Sequence, residues 1–222
     1  MAEGVARRDP WIPVGLASAA GFLLVAWAVN GSGGLGFDAT AAAAIQRLPV
    51  PVGVWVALTE LGGFSLVLVG TAFALSALAS GRVRLALIVA VILIGAALFT
   101  DHVKDVVGRP RPPEPLISAE GYSFPSGHTL NSTVTYGLIA VVAWRSRLTR
   151  QVRTIVGAVG VVVPIVVGLS RIALGVHYPS DVLAGWLGGT AFVALGAVLI
   201  VATGAMAPDL PRWRPRTREG PG

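Results

Sequence analysis

Residues 155–181 read IVGAVGVVVPIVVGLSRIALGVHYPSD. From position 155 to 170 there is no charge at all, and then Arg171, His177 and Asp181 arrive together before a second uncharged run begins at 182. Valine, glycine and isoleucine dominate the first run without the apolar/polar alternation of a barrel strand. It reads as a membrane-crossing helix, because in hydrocarbon only a helix or a closed barrel satisfies its own backbone. Pro179 then suits the first position of a following helix. The stretch therefore describes two spans joined by a short polar connection at a membrane surface.

Working outward, similar runs occupy residues 11–29, 64–79, 85–99, 129–144 and 182–207. Several are shorter than the roughly 20 residues a bilayer requires, so their helices must extend into the flanking polar residues. The expected fold is all-α, a bundle of six transmembrane helices forming a single domain over residues 1–222, with 208–222 as a disordered cytoplasmic tail rich in Pro and Arg. Composition agrees: 54% of the 222 residues are hydrophobic and 13% charged, against roughly 25% charged in soluble domains. Residues 39–58 are apolar but carry Arg47, Pro49 and Pro51. They read as an interfacial helix followed by an extended return, with a seventh span as the alternative. A cleaved signal peptide at the first run is disfavoured by its length and by Trp27 beside the nearest cleavage-like residues.

Six spans put both termini on one side, where 12 of the 17 basic residues fall. The positive-inside rule then predicts cytoplasmic termini in a plasma (inner) membrane, with the connections at 100–127 and 170–181 on the extracytoplasmic side. In this setting the net charge of +6 speaks for anionic headgroups and not for nucleic acid. The absence of cysteine removes thiolate chemistry and Cys-ligated zinc.

All three histidines and the one lysine lie on that outer side. In DHVKDVVGRPRPP, residues 101–113, Lys104 sits where a helix emerges. Pro110 and Pro112 hold Arg109 and Arg111 on stiff backbone, a pattern that suits phosphate or plain interfacial anchoring. In YSFPSGHTLNS, residues 122–132, Ser126 is placed to cap a helix that starts near Gly127. Its free N–H groups favour an anion, with His128 in the first turn able to give a proton. In the opening stretch His177 and Asp181 are four apart, close enough for the carboxylate to orient the imidazole.

These three stretches resemble the type 2 phosphatidic acid phosphatase superfamily, whose motifs K-x6-RP, PSGH and SR-x5-H-x3-D stand here in order as Lys104 to Arg111-Pro112, Pro125 to His128, and Ser170-Arg171 through His177 to Asp181. The resemblance implies a lipid phosphate phosphatase with its active site at the extracytoplasmic interface. It makes His177 the nucleophile, Asp181 its orienting carboxylate and His128 the general acid. Lys104, Arg111 and Arg171 would hold the phosphate with the backbone N–H groups of Ser126 and Gly127. Such a cationic cage requires neither metal nor cofactor; a magnesium site at Asp101 and Asp105 is the weaker alternative to their pairing with nearby cations. Arg109 and His102 match no motif position. The expected substrate is a membrane polyprenyl diphosphate of the undecaprenyl type, with phosphatidylglycerol phosphate or phosphatidate as the alternative. A lipid phosphotransferase would use the same parts, a vanadate-type haloperoxidase would lack the spans, and a transporter would show internal repeats or midplane polar residues. No sequence feature specifies an oligomeric state.

Overall fold

The computed structural model describes residues 9–207. Eight α-helices follow one another: α1 (Trp11–Ser32), α2 (Asp38–Gln46), α3 (Val52–Thr59), α4 (Phe64–Ala79), α5 (Val83–Val107), α6 (Gly127–Arg145), α7 (Arg150–Ala173) and α8 (Pro179–Ala202), with a 3-10 turn at Glu60–Gly62 between α3 and α4. Five helical segments among the described residues are long and apolar enough to cross a membrane: α1, α3 with α4 as Val52–Ala79, α5, α7 and α8. Large apolar side chains on them face outward, with Leu24 67% exposed, Trp27 79% and Phe64 72%. That inversion of the soluble pattern marks lipid-facing surface. This is a helical membrane protein.

α6, the helix expected at 129–144, is long enough to cross but less apolar than the others, for a physical reason. It packs against α5, α7 and α8, and Leu130, Val134 and Leu138 are fully buried. A helix shielded by its neighbours can carry hydroxyls if they are satisfied locally. Ser132 Oγ and Thr133 Oγ1 both donate to the Thr129 carbonyl, at 3.0 and 2.7 Å.

The helix ends follow their residues. Gly33 and Gly108 take left-handed φ of 73° and 60° and close α1 and α5, their N–H groups donating to Val29 and Lys104 carbonyls. The short apolar run at 85–99 is indeed extended at both ends, through Lys104 to Val107. Segment 39–58 departs from expectation. Its second half is not an extended return, because α3 is helical from Val52 and leads through the 3-10 turn into α4. Pro49 and Pro51 confine the break to a few residues, and Pro51 itself stands at the start of α3. The proposed tail at 208–222 lies outside the described residues.

Small residues allow α8 to lie close against α6. A Cβ on Gly185 would stand 2.8 Å from Thr129 Cβ, and one on Gly189 only 2.5 Å from Thr133 Cβ. Trp186 Nε1 donates to the carbonyl of Pro164 inside α7 at 3.0 Å, which ties α7 to α8. The C-terminal ends of α1, α5 and α7 and the N-terminal ends of α4, α6 and α8 consequently gather at one end of the bundle.

Candidate active site

That end holds every residue singled out by the three motifs. His177 lies in the short connection between α7 and α8, buried at 3% exposure. Its Nε2 is 3.2 Å from Arg111 Nη1. The Arg111 guanidinium is anchored by three carbonyls: Gly121 accepts from Nε at 3.0 Å, Val176 from Nη1 at 2.8 Å and Glu120 from Nη2 at 2.7 Å. Arg171, at the end of α7, is buried and donates from Nη1 to Thr59 Oγ1 at 3.0 Å. The Lys104 ammonium comes within 3.7 Å of the point where a Gly127 Cβ would lie, so glycine at 127 lets the lysine approach the start of α6. Lys104, Arg111, Arg171, His128 and His177 are near enough for their charges to act on one another. None of the three cations has an ion-pair partner among the described residues.

Burial pushes His177 down from the ordinary histidine value to about 4; the Asp181 carboxylate works against that shift, while Arg171 and Arg111 add to it. Desolvation also lowers Arg111, with Asp181 nearby opposing it. The imidazole is thus neutral near pH 7, with a ring-nitrogen lone pair available.

Two details differ from the sequence reading. Asp181 lies 3.5 Å from His177 Nδ1, but its nearer partners are the Tyr178 N–H on Oδ2 at 2.9 Å and Arg109 Nη1 on Oδ1 at 2.5 Å. A carboxylate at the third position of a helix turns back to cap the backbone ahead of it, and Arg109 takes its other oxygen. Ser126 does stand at the start of α6, but its hydroxyl makes no capping bond and accepts from Thr129 Oγ1 at 2.9 Å. The Ser126 N–H donates to the Asp181 carbonyl at 3.0 Å, joining the second motif to the third instead of pointing at an anion. The first-turn N–H groups from Gly127 onward are those that helix geometry leaves without intrahelical acceptors.

Asp38 and Thr59 belong to the site and escaped the sequence reading; Arg109, a candidate cation there without a motif position, belongs to it too. Arg109 is 5% exposed and bridges Asp38 and Asp181. Burial would raise the Asp38 carboxyl, but hydrogen bonds from Ser180, the Leu35 N–H and Arg109 outweigh it and hold Asp38 below its ordinary value. Asp38 had one signal, a lone carboxylate opening a helix of alanines. Asp101, Asp105 and His102 are exposed, and neither aspartate forms an ion pair among the described residues; both act on Lys104 through space.

A cavity of about 900 Å³ runs from this end between α4, α5 and α6, with Glu60, Lys104, Gly127 and His128 at its head and Val67, Gly70, Ala74, Leu93 and Ile94 along its length. A second cavity of about 850 Å³ borders His177, Arg109, Asp38 and Gln46.

Residues 85–204 match the model of the PAP2 superfamily. The chain belongs to the PAP2 superfamily. Among curated PAP2 relatives, phosphatidylglycerophosphatase B of Bacillus subtilis is 32% identical over 123 residues, covering 53% of this chain and 55% of that protein. The decaprenylphosphoryl-5-phosphoribose phosphatase of Mycobacterium tuberculosis is 34% identical over 142 residues, covering 58% of this chain and 65% of its own length. The chain thus matches a little over half to about two thirds of these relatives. The crystal structure of a transmembrane PAP2-type phosphatidylglycerolphosphate phosphatase from Bacillus subtilis superposes with a TM-score of 0.66 over 90% of this chain and 98% of that one, at 24% identity. This similarity establishes the PAP2 membrane fold for the chain.

Proposed function

We propose that this PAP2 protein is a metal-independent lipid phosphatase acting on a membrane polyprenyl diphosphate of the undecaprenyl type. The observation that carries the proposal is three cations, Lys104, Arg111 and Arg171, gathered around His128 and His177 without ion-pair partners among the described residues, with Lys104 and His128 at the head of an apolar cavity. Such a cage favours a phosphate whose equatorial oxygens gain charge in the transition state, and the cavity suits a hydrocarbon tail.

In the proposed reaction the Nε2 lone pair of His177 attacks the terminal phosphorus, and the bond to the bridging oxygen breaks. His128 gives its proton to that oxygen, so the polyprenyl monophosphate leaves. Water then attacks the phosphohistidine while His128 takes its proton; the P–N bond breaks and inorganic phosphate departs. Lys104, Arg111, Arg171 and the Gly127 N–H hold the phosphate oxygens, and Asp181 keeps the imidazole in place. The topology that goes with this reading has six spans, counting α4 and α6 as one each, in the plasma membrane with the site on the extracytoplasmic side.

Phosphatidylglycerol phosphate is the second reading, favoured by the name of the Bacillus subtilis relative. Both are tested by phosphate release from the purified protein in detergent with a chelator present, using undecaprenyl diphosphate, phosphatidylglycerol phosphate and phosphatidate side by side. Rapid chelator-resistant release is expected, fastest from the diphosphate. Release fastest from phosphatidylglycerol phosphate would transfer the assignment to that lipid, and no release from any of the three would refute hydrolysis of these lipids.

A further inference from the structure

We infer that Arg109 and Asp38, which lie outside the three motifs' defining positions, form a buried clamp that positions Asp181 and, through it, His177; this rests on the phosphohistidine reading above. The Arg109 guanidinium spends its fork on three acceptors. Nη1 donates to Ser180 Oγ at 2.8 Å and to Asp181 Oδ1 at 2.5 Å, while Nη2 donates to Asp38 Oδ2 at 2.9 Å. Its Cζ lies 3.9 Å from the centre of the Tyr178 ring. Asp38 is equally committed: Oδ1 accepts from the Ser180 N–H at 2.8 Å, and Oδ2 from Ser180 Oγ at 2.7 Å and the Leu35 N–H at 3.0 Å. At Gly34 a Cβ would stand 2.8 Å from Arg109 Nη2 and 3.2 Å from Asp38 Oδ2. The loop after α1 therefore closes over the pair only because that residue has no side chain.

The electrostatics say what the clamp does. Asp38 and Asp181 are two carboxylates in one buried place, bridged by Arg109, with Ser180 bonded to Asp38. Without the guanidinium both could not remain ionised, and one would take up a proton. A protonated Asp181 is a poor acceptor for the His177 Nδ1–H, and the imidazole loses its orientation. The other charges facing Asp181 are His177 itself and Arg111 from the segment after α5, and Arg111 is already assigned to the phosphate. Lysine at 109 would supply the charge without the fork that reaches both carboxylates.

The test uses the full chain purified in detergent with the Arg109→Gln, Arg109→Lys and Asp38→Asn variants and the double variant Arg109→Gln/Asp38→Asn. Arg109→Gln is expected to lower kcat roughly 10- to 100-fold, the range for groups that orient a reacting ligand from behind, with KM little changed. The acid limb of its pH profile should move to higher pH, because activity is lost as pH falls through a raised carboxylate value. Arg109→Lys should fall between. Removing the second carboxylate should restore part of the loss, so the double variant should outpace Arg109→Gln. A merely structural role predicts that the double variant is worse. Ring-nitrogen NMR of 15N-histidine-labelled protein reads the same clamp without substrate: the wild type should hold His177 in the Nδ1–H tautomer and Arg109→Gln should give a mixture. Wild-type kcat and pH profile in folded Arg109→Gln, a double variant no faster than the single, or an unchanged tautomer would each overturn the clamp. Failure of the wild type to hydrolyse any lipid would instead overturn the phosphatase reading, while the tautomer comparison still decides the clamp.

Discussion

Arg111 Nη1 stands 3.2 Å from His177 Nε2, held there by the carbonyls of Gly121, Val176 and Glu120. Arginine has no acceptor, so this contact favours an unprotonated Nε2, while the Asp181 carboxylate on the other side of the ring favours the hydrogen on Nδ1. The tautomer that can attack phosphate therefore rests on both contacts, and neither holds it alone.

Arg111→Lys should separate these tasks from simple charge. Lysine keeps a cation but cannot reach three carbonyls and Nε2 together, so phosphate release should fall about 10²- to 10³-fold, the scale for loss of one positioned donor at an anionic transition state. A steady-state assay checks this, and a drop of less than tenfold would contradict the role.

The two histidines should fail differently. His177→Ala is expected to abolish both turnover and the acid-labile phosphoenzyme trapped by rapid quench. His128→Ala should also lower turnover by orders of magnitude while leaving some label on His177. Label retained in His177→Ala would move the nucleophile elsewhere. Size-exclusion profiles matching the wild type would show that both variants still fold.

The low value of His177 fixes the sign of its pH dependence. Its folded value, about 4, lies below the ordinary histidine value of 6.5, so between these the unfolded chain binds a proton that the folded one refuses. Stability contributed by the neutral ring is present above 6.5 and is lost as pH falls through 4. The melting temperature in detergent should decline from pH 7 to 4.5, and less steeply in His177→Asn. Nucleophilic competence should persist down to about pH 4, and an acid limb of phosphoenzyme formation near 6.5 would contradict the burial.

Gly189 should tolerate nothing larger. With Thr133 Cβ only 2.5 Å from the added carbon, Gly189→Ala must push α8 from α6 at a cost of about 1 to 3 kcal/mol. The displacement reaches the site through the bond from Ser126 to Asp181. Thermal melts should show the loss of stability, together with a loss of activity; Gly157→Ala, where nothing lies within 4 Å, is the control expected to melt like the wild type.

The apolar cavity between α4 and α5 makes a prediction about tails. Ala74→Trp should raise KM for a long polyprenyl diphosphate and leave a short-chain, water-soluble diphosphate unaffected. Equal effects on both would remove the cavity from substrate binding.

Sequence alone was enough to place the protein in a membrane, to set α4 at Phe64, α6 at Gly127 and α8 at Pro179, and to name the cationic and histidine positions. Those features are local: uncharged runs, proline at helix starts and charges crowded at helix ends follow from backbone chemistry within a few residues. The helical character of 52–58 was missed because the prolines beside it mask a helix too short to show a period. Only the tertiary structure decided what Asp181 and Arg109 do. Arg109 meets Asp38 across 71 residues and Asp181 across 72, while Ser180 meets Asp38 across 142. No local period records such distances. Which buried charge finds which partner is settled when helices packed through glycine bring their ends together, and burial then makes leaving a charge unpaired too costly.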